Sequence, residues 1–269
     1  MKIANWLKTS QEKLESASVS TPRLDVQLIA CNILGQTRAW LLAHPDFIIE
    51  PAVQASLDNM LQRRLLHEPL AYIFGQKEFY GRSFTVNKHV LVPRPDSEDV
   101  IELALGIPDK AMRILDIGTG SGILAITIAL ERPEWAVTAS DISSDALLVA
   151  KANSTDLGVN SQVEFIQQDL LTEDITPYNL VIANLPYVPD TMATNSDLAA
   201  EPSIALFSGH DGLDHYRRLF EQLGTRTPAI PNVITESLLS QHSEMTRLAS
   251  DAGYTLNDSK HLAQHFTLG

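Results

Sequence analysis

From residue 112 onward short apolar runs alternate with helical stretches, and nothing else in the chain narrows its fold as much. Residues 113–117, 136–140, 163–166 and 180–183 read as strands, with 123–130 and 146–157 as helices among them. Near the end, 233–235, 254–256 and 265–268 read as further strands around a helix from about 240 to 252. Such interleaving argues for an α/β fold, a parallel sheet with covering helices.

The first 70 residues have a different period. Ile3, Trp6, Leu7 and Leu14 mark one helix, Leu24, Leu28, Ile29 and Ile33 a second, and Val53, Leu57, Met60, Leu61 and Leu65 another. Thr21-Pro22 and Pro51 are placed to start helices, and Gly35 to stop one. Between Lys77 and Val92, the aromatic and β-branched residues Phe79, Tyr80, Phe84, Thr85 and Val86 surround Gly81-Arg82 as in a hairpin. The expected organisation is a helical domain over 1–75, a hairpin connector over 76–92 and an α/β domain over 93–269. The polar, Pro-bounded stretch 189–203 reads as a binding loop.

Composition excludes several classes. No apolar run approaches the roughly 20 residues of a spanning helix, and the charged N-terminus lacks a secretory apolar segment, so a cytoplasmic protein with no membrane partner is expected. A net charge of −13 disfavours phosphate backbones. The single cysteine, Cys31, allows no internal disulfide and reads as a buried, inert thiol. His261 and His265 have i, i+4 spacing but no intervening Glu and lie in a strand-like segment, so no metal site is expected.

Four stretches carry chemistry. The strand ending at Ile117 turns through Gly118-Thr119-Gly120-Ser121-Gly122 into a helix, a loop whose backbone a ligand can approach and whose N–H groups are free. Its spacing is G-x-G-x-G, unlike the G-x-G-x-x-G of dinucleotide binders. Asp141 ends the next strand, about 20 residues on, where a carboxylate can accept from both hydroxyls of a ribose. Asp169-Leu170 follows the third strand, Asp169 able to accept from an adenine amino group and Leu170 to pack on the ring. Asn184-Leu185-Pro186-Tyr187 follows the fourth, offering an amide oxygen, a main-chain carbonyl and a flat phenol to a planar NH2 group. Each has an ordinary reading alone, as a turn, a helix cap or a strand end. Their succession on strand ends, where open α/β sheets bind ligands, favours a site.

The chain resembles the class I S-adenosylmethionine-dependent methyltransferases, and more closely the release factor glutamine methyltransferases. The resemblance also covers Glu68 to Ile73 with Gly75 and Phe79, Leu91-Val92-Pro93-Arg94-Pro95-Asp96-Ser97-Glu98, and Glu201-Pro202 with Ala205-Leu206. It implies a Rossmann-like sheet with helices on both faces, S-adenosylmethionine as cofactor and S-adenosylhomocysteine as product. It matches residues 118 to 122, Asp141, Leu170 and Asn184 to cofactor contacts, with Asn184 shared by the substrate; the reading of the residues themselves adds Asp169 to the cofactor contacts, residues 184 to 187 to the substrate, and Asn184 and Tyr187 as catalytic. The implied substrate is the side-chain amide of the Gly-Gly-Gln glutamine in class I release factors, which the N-terminal helices help to dock. Separately from the resemblance, a monomer is expected. The family tetrapeptide is usually Asn-Pro-Pro-Tyr; Leu185 replaces the first proline and relaxes φ there. No chemical role follows for Glu201-Pro202. The alternative is a methyltransferase acting on the exocyclic amine of adenine or guanine in nucleic acid, which the charge and the lack of a Lys/Arg cluster beyond Arg63-Arg64 and Arg217-Arg218 disfavour.

Overall fold

Pro22 and Pro51 stand at the first turns of two helices in the N-terminal part, where the missing N–H has no intrahelical partner to lose. The helices there are α1 (Ile3–Ser16), α2 (Pro22–Leu34), α3 (Arg38–Ala43), α4 (Pro51–Leu65) and α5 (Leu70–Phe74). Gly35, in the left-handed conformation, stops α2, and the Thr37 hydroxyl accepts from Trp40 N–H to cap α3. α3 and α5 are too short for their apolar spacing to be read from sequence. Trp6, Leu14, Ile29, Leu41, Leu57 and Leu61 form the core of this unit. Beside it Arg64 Nε donates to Asp25 Oδ2 at 2.6 Å, with both side chains nearly inaccessible. Cys31 is only partly buried, so the expected burial of its thiol is incomplete.

The computed structural model describes all residues except 109–110, 172–175 and 193–199. It separates into two units, Met1–Gly75 and Gln76–Gly269. The expected binding loop over 189–203 therefore lies partly outside the described residues.

The second unit begins with the antiparallel hairpin β1 (Gln76–Phe79) and β2 (Arg82–Thr85). Phe79 and Phe84 are buried in the same cluster as the sheet, so the hairpin is part of this unit. There follow α6 (Glu98–Leu105), β3 (Arg113–Ile117), α7 (Ile123–Glu131), β4 (Ala136–Asp141), α8 (Ser144–Asp156), β5 (Val163–Gln167) and β6 (Leu180–Ala183). The chain continues through α9 (Asp214–Thr225), β7 (Asn232–Glu236), α10 (His242–Asp251), β8 (Tyr254–Lys260) and β9 (Ala263–Leu268). Asn153 of α8 holds the hairpin: its carboxamide accepts from Thr85 N–H at 2.7 Å and donates to the Thr85 and Ser121 carbonyls.

The sheet order is β5-β4-β3-β6-β7-β9-β8. β5, β4, β3, β6 and β7 are parallel, whereas β9 is antiparallel to both its neighbours. The expectation of a parallel sheet fails at this end, because the short turn between β8 and β9 leaves no room for the crossover that parallel pairing requires. Side chains alternate between faces: Ile114, Leu180 and Ile182 join one apolar cluster with α6 and α7, while Leu115, Val181 and Ala183 join another with α9 and α10. Both faces are thus covered. Among the described residues no helix is long and apolar enough to cross a membrane.

Candidate active site

Because β4 and β6 leave opposite sides of β3, the loops after the parallel strands part at this point and open a cleft at their C-terminal ends. It is open to solvent, with a cavity volume of about 180 Å³. Gly118, Thr119, Gly120 and Ser121 line it, as do Asp141, Asp169, Leu170, Asn184, Leu185 and Pro186. Gly122 and Tyr187, also expected at the site, do not line it.

Gly122 has a packing role instead. A Cβ there would lie 2.8 Å from Ile126 Cδ1 and 3.1 Å from the Ala150 Cβ, so the residue lets α7 start hard against α8. Gly118 brings the glycine loop close to the tetrapeptide, since a Cβ would stand 3.0 Å from Leu185 Cδ2. The loop is fixed from beneath by buried Asp116, whose Oδ2 accepts from Thr119 Oγ1 at 2.6 Å and from Ala125 N–H at 3.3 Å. Burial pushes the Asp116 carboxyl up to about 7, against the opposing pull of those two donors.

Asp141 clasps the same loop from the side. Its Oδ2 accepts from Gly120 N–H and its Oδ1 from Ser143 N–H, both at 2.9 Å. Burial raises its pKa, and these N–H groups oppose the rise. Of the four lone-pair directions on its two oxygens, Gly120 and Ser143 take two and Ile142 N–H faces a third, so the carboxylate can still accept from a ligand. The helix cap that Asp141 could have supplied comes from Ser143, whose hydroxyl accepts from Ala146 N–H at 3.2 Å.

Asp169 is paired with Arg218 of α9, Nη2 to Oδ2 at 2.6 Å, in an exposed position. Leu170 is buried with a positive φ of 55°. His215 also lines the cleft, its Nδ1 2.6 Å from Ser208 Oγ, and burial followed by the charge of Arg218 lowers its pKa. Sequence reasoning missed Arg218 and His215 because it missed α9. The periodic set Leu213, Tyr216, Leu219, Phe220 and Leu223 could have revealed that helix.

Around the tetrapeptide, Asn184 Nδ2 donates to the buried Ser97 hydroxyl at 3.0 Å. Tyr187 turns its hydroxyl to Glu236 at the end of β7 and donates to Oε1 at 2.9 Å, while its carbonyl accepts from Gln241 Nε2. Burial and the neighbouring carboxylate both raise the Tyr187 pKa, so the phenol stays protonated. Glu236 is itself raised by burial, an effect opposed by the Ser97 hydroxyl, the Tyr187 phenol and the Asn184 carboxamide beside it. Glu236 was not singled out by sequence because nothing local distinguishes it; only the pairing of β6 with β7 brings it here.

Glu201, whose role the sequence left open, holds the Pro93-Arg94-Pro95 segment. Its Oε2 accepts from Val92 N–H at 2.9 Å and its Oε1 from Arg94 Nη2 at 2.5 Å. Arg94 also donates to the Val92 carbonyl and lines the cleft. His261 and His265 have separate partners, Asp99 and Asn232. Among the described residues no three His, Cys, Asp or Glu side chains are grouped to hold a metal ion.

Comparison with known proteins extends this geometry. Residues 5–75 match the PrmC N-terminal domain model and residues 103–202 the methyltransferase small domain model. A release factor glutamine methyltransferase of Koribacter versatilis is 38% identical over 83% of this chain and 81% of its own length. One from Neisseria gonorrhoeae is 35% identical over 87% of each. The chain belongs to the release factor glutamine methyltransferase family. A bifunctional methyltransferase of Rickettsia bellii is 32% identical over 95% of this chain, which spans 52% of that longer relative. Among solved structures, the hMettl16 catalytic domain bound to an RNA hairpin superposes with a TM-score of 0.58 at 16% identity, covering 78% of this chain and 82% of that one. A methyltransferase from Pyrococcus furiosus superposes with a TM-score of 0.54 at 16% identity, covering 79% and 99%. These two share the sheet and its helices with this release factor glutamine methyltransferase family member. Their identity supports the fold alone.

Proposed function

We propose that this chain transfers a methyl group from S-adenosylmethionine to the side-chain amide nitrogen of the glutamine in the Gly-Gly-Gln motif of class I release factors. The observation that carries the reading is the placement of Asn184 and Leu185 against the glycine loop, with Gly118 and Leu185 in close approach.

The residues present fit the cofactor. Gly118 to Ser121 offer main chain without bulk, Asp141 offers acceptors to a ribose, and Asp169 with buried Leu170 offers a polar and an apolar edge to the base. Gly122 and Tyr187 serve it indirectly. When bound, S-adenosylmethionine supplies an electrophilic methyl group on a sulfonium.

The chain's own residues must then make a poor nucleophile competent, because an amide lone pair is delocalised into its carbonyl. Ser97 accepts from the NH2 end of Asn184 and the Glu236 carboxylate lies beside it, so Oδ1 is the end left for substrate. Asn184 Oδ1 and the Leu185 carbonyl each accept one N–H of the glutamine amide and hold its plane. Acceptors fixed in advance stabilise the positive charge that develops on nitrogen and confine the reacting atoms to a near-attack geometry. Tyr187, anchored on Glu236, buttresses the turn. The proton leaves after transfer, so no strong base is required.

The test mixes the full chain with methyl-labelled cofactor and a purified release factor, the same factor with its motif glutamine changed to alanine, and RNA. Label on the intact factor alone supports the reading. Label retained on the alanine variant, or found on RNA, overturns it.

A further inference from the structure

Tyr216 on α9 is inaccessible to solvent, yet its hydroxyl is a hub of main-chain contacts. It accepts from Leu185 N–H at 3.1 Å and lies 3.1 Å from the Ala183 carbonyl and 2.5 Å from the Glu236 carbonyl. A phenol has one proton, and the nearer Glu236 carbonyl is its better acceptor. Residues 183 and 185 flank Asn184, so one hydroxyl touches the backbone on both sides of it and ties that backbone to the end of β7. Burial keeps the phenol protonated by raising its pKa. Leu185 has a main-chain N–H and a free φ, where a proline has neither. Without a partner for that N–H the turn could rotate, and a buried donor would be left unpaired.

We propose that Tyr216 is a positioning residue for methyl transfer: its hydroxyl fixes residues 183–185 and so aims Asn184 Oδ1 and the Leu185 carbonyl at the substrate amide. This rests on the acceptor roles proposed for those two groups. The packing of the ring against Leu219, Phe220 and their neighbours is a separate contribution, and Tyr216→Phe preserves it.

The experiment uses the full-length Tyr216→Phe protein. Amide hydrogen exchange, read residue by residue, is expected to speed up at Leu185 by about tenfold or more, with Val181 and Ile182 in the sheet unchanged. The kcat for methyl transfer to release factor is expected to fall by about 10- to 100-fold while the KM for S-adenosylmethionine stays the same. In a Leu185→Pro background, where no N–H remains to be held and φ is fixed, Tyr216→Phe is expected to cost little further. An equal loss of kcat in both backgrounds overturns the proposal, as does unchanged exchange at Leu185. Should Leu185→Pro not fold, the exchange measurement decides. A wild-type chain that methylates no release factor overturns the functional reading instead, and the exchange result then judges the tie by itself.

Discussion

Asn184 gives an N–H to the Ser97 hydroxyl at 3.0 Å with the Glu236 carboxylate beside it, which leaves the oxygen end of its carboxamide for a ligand. The oxygen end is preorganised before any substrate arrives. Asn184→Ala is therefore expected to lower single-turnover methyl transfer by about 10²- to 10³-fold, the range found when one preorganised polar group is removed from an active site. Tyr187→Phe loses the bond to Glu236 but keeps the ring, so its loss should be smaller. Similar losses in the two variants would contradict the division of roles.

Asp141 holds Gly120 and Ser143 through separate oxygens. Replacing it with alanine removes the acceptor that the Gly120 and Ser143 N–H groups use and that Ile142 N–H faces, together with any contact to a ribose. Calorimetric titration is expected to show S-adenosylmethionine bound about 100-fold more weakly, or about 3 kcal/mol. Asp141→Asn, which keeps one acceptor oxygen, should fall between. Wild-type affinity in the alanine variant would remove Asp141 from the site.

The folded chain keeps Asp116 protonated up to about pH 7, whereas an unfolded chain ionises it near the ordinary 3.8. Between those values the unfolded state binds fewer protons, so the Asp116 contribution makes stability fall as pH rises from about 4 to 7. The shift corresponds to about 4 kcal/mol at most. Asp141 and Glu236, also raised by burial, act in the same direction. Asp116→Asn retains an oxygen for Thr119 and Ala125, and denaturant unfolding should show a flatter pH profile in this variant than in wild type. Parallel profiles would mean that Asp116 is ionised in the native state.

Glu201 is buried, while its partner Arg94 is about one third exposed, so the pair is partly screened. Glu201→Ala strands Val92 N–H and frees Arg94, at an expected cost of about 1–3 kcal/mol. Glu201→Gln, which still accepts from Val92, should cost less. Thermal unfolding of the two variants checks the order, and an equal cost would place the effect in packing.

In the N-terminal unit, Asp25 and Arg64 form a pair with side-chain exposures of 5% and 9%. Removing one partner leaves a buried charge, so Asp25→Ala is expected to destabilise by about 3–5 kcal/mol. The double change Asp25→Leu with Arg64→Met should be milder than the single one. A double variant less stable than Asp25→Ala would show that the pair contributes more than its desolvation costs.

The glycine loop, Asp141 and Asn184 were legible because each sits on a strand end that the alternating pattern locates, and position on the sheet decides who faces the cleft. Gly122 was misplaced because spacing alone does not tell a glycine needed by a ligand from one needed by a neighbouring helix. Asp169 was assigned to a base edge without its arginine, since Arg218 lies 49 residues away on an unrecognised helix. Glu236, Tyr216 and Ser97 act on the tetrapeptide across comparable separations, through sheet pairing and helix packing that no local pattern encodes. The antiparallel end of the sheet follows from a turn length that was readable but was not weighed.

β9 lies between β7 and β8 although it follows both in the chain. On a translating ribosome, then, the rim strand is made before the strand it must lean on. The segment 254–260 has no strand of the sheet to pair with until the polypeptide beyond it has emerged.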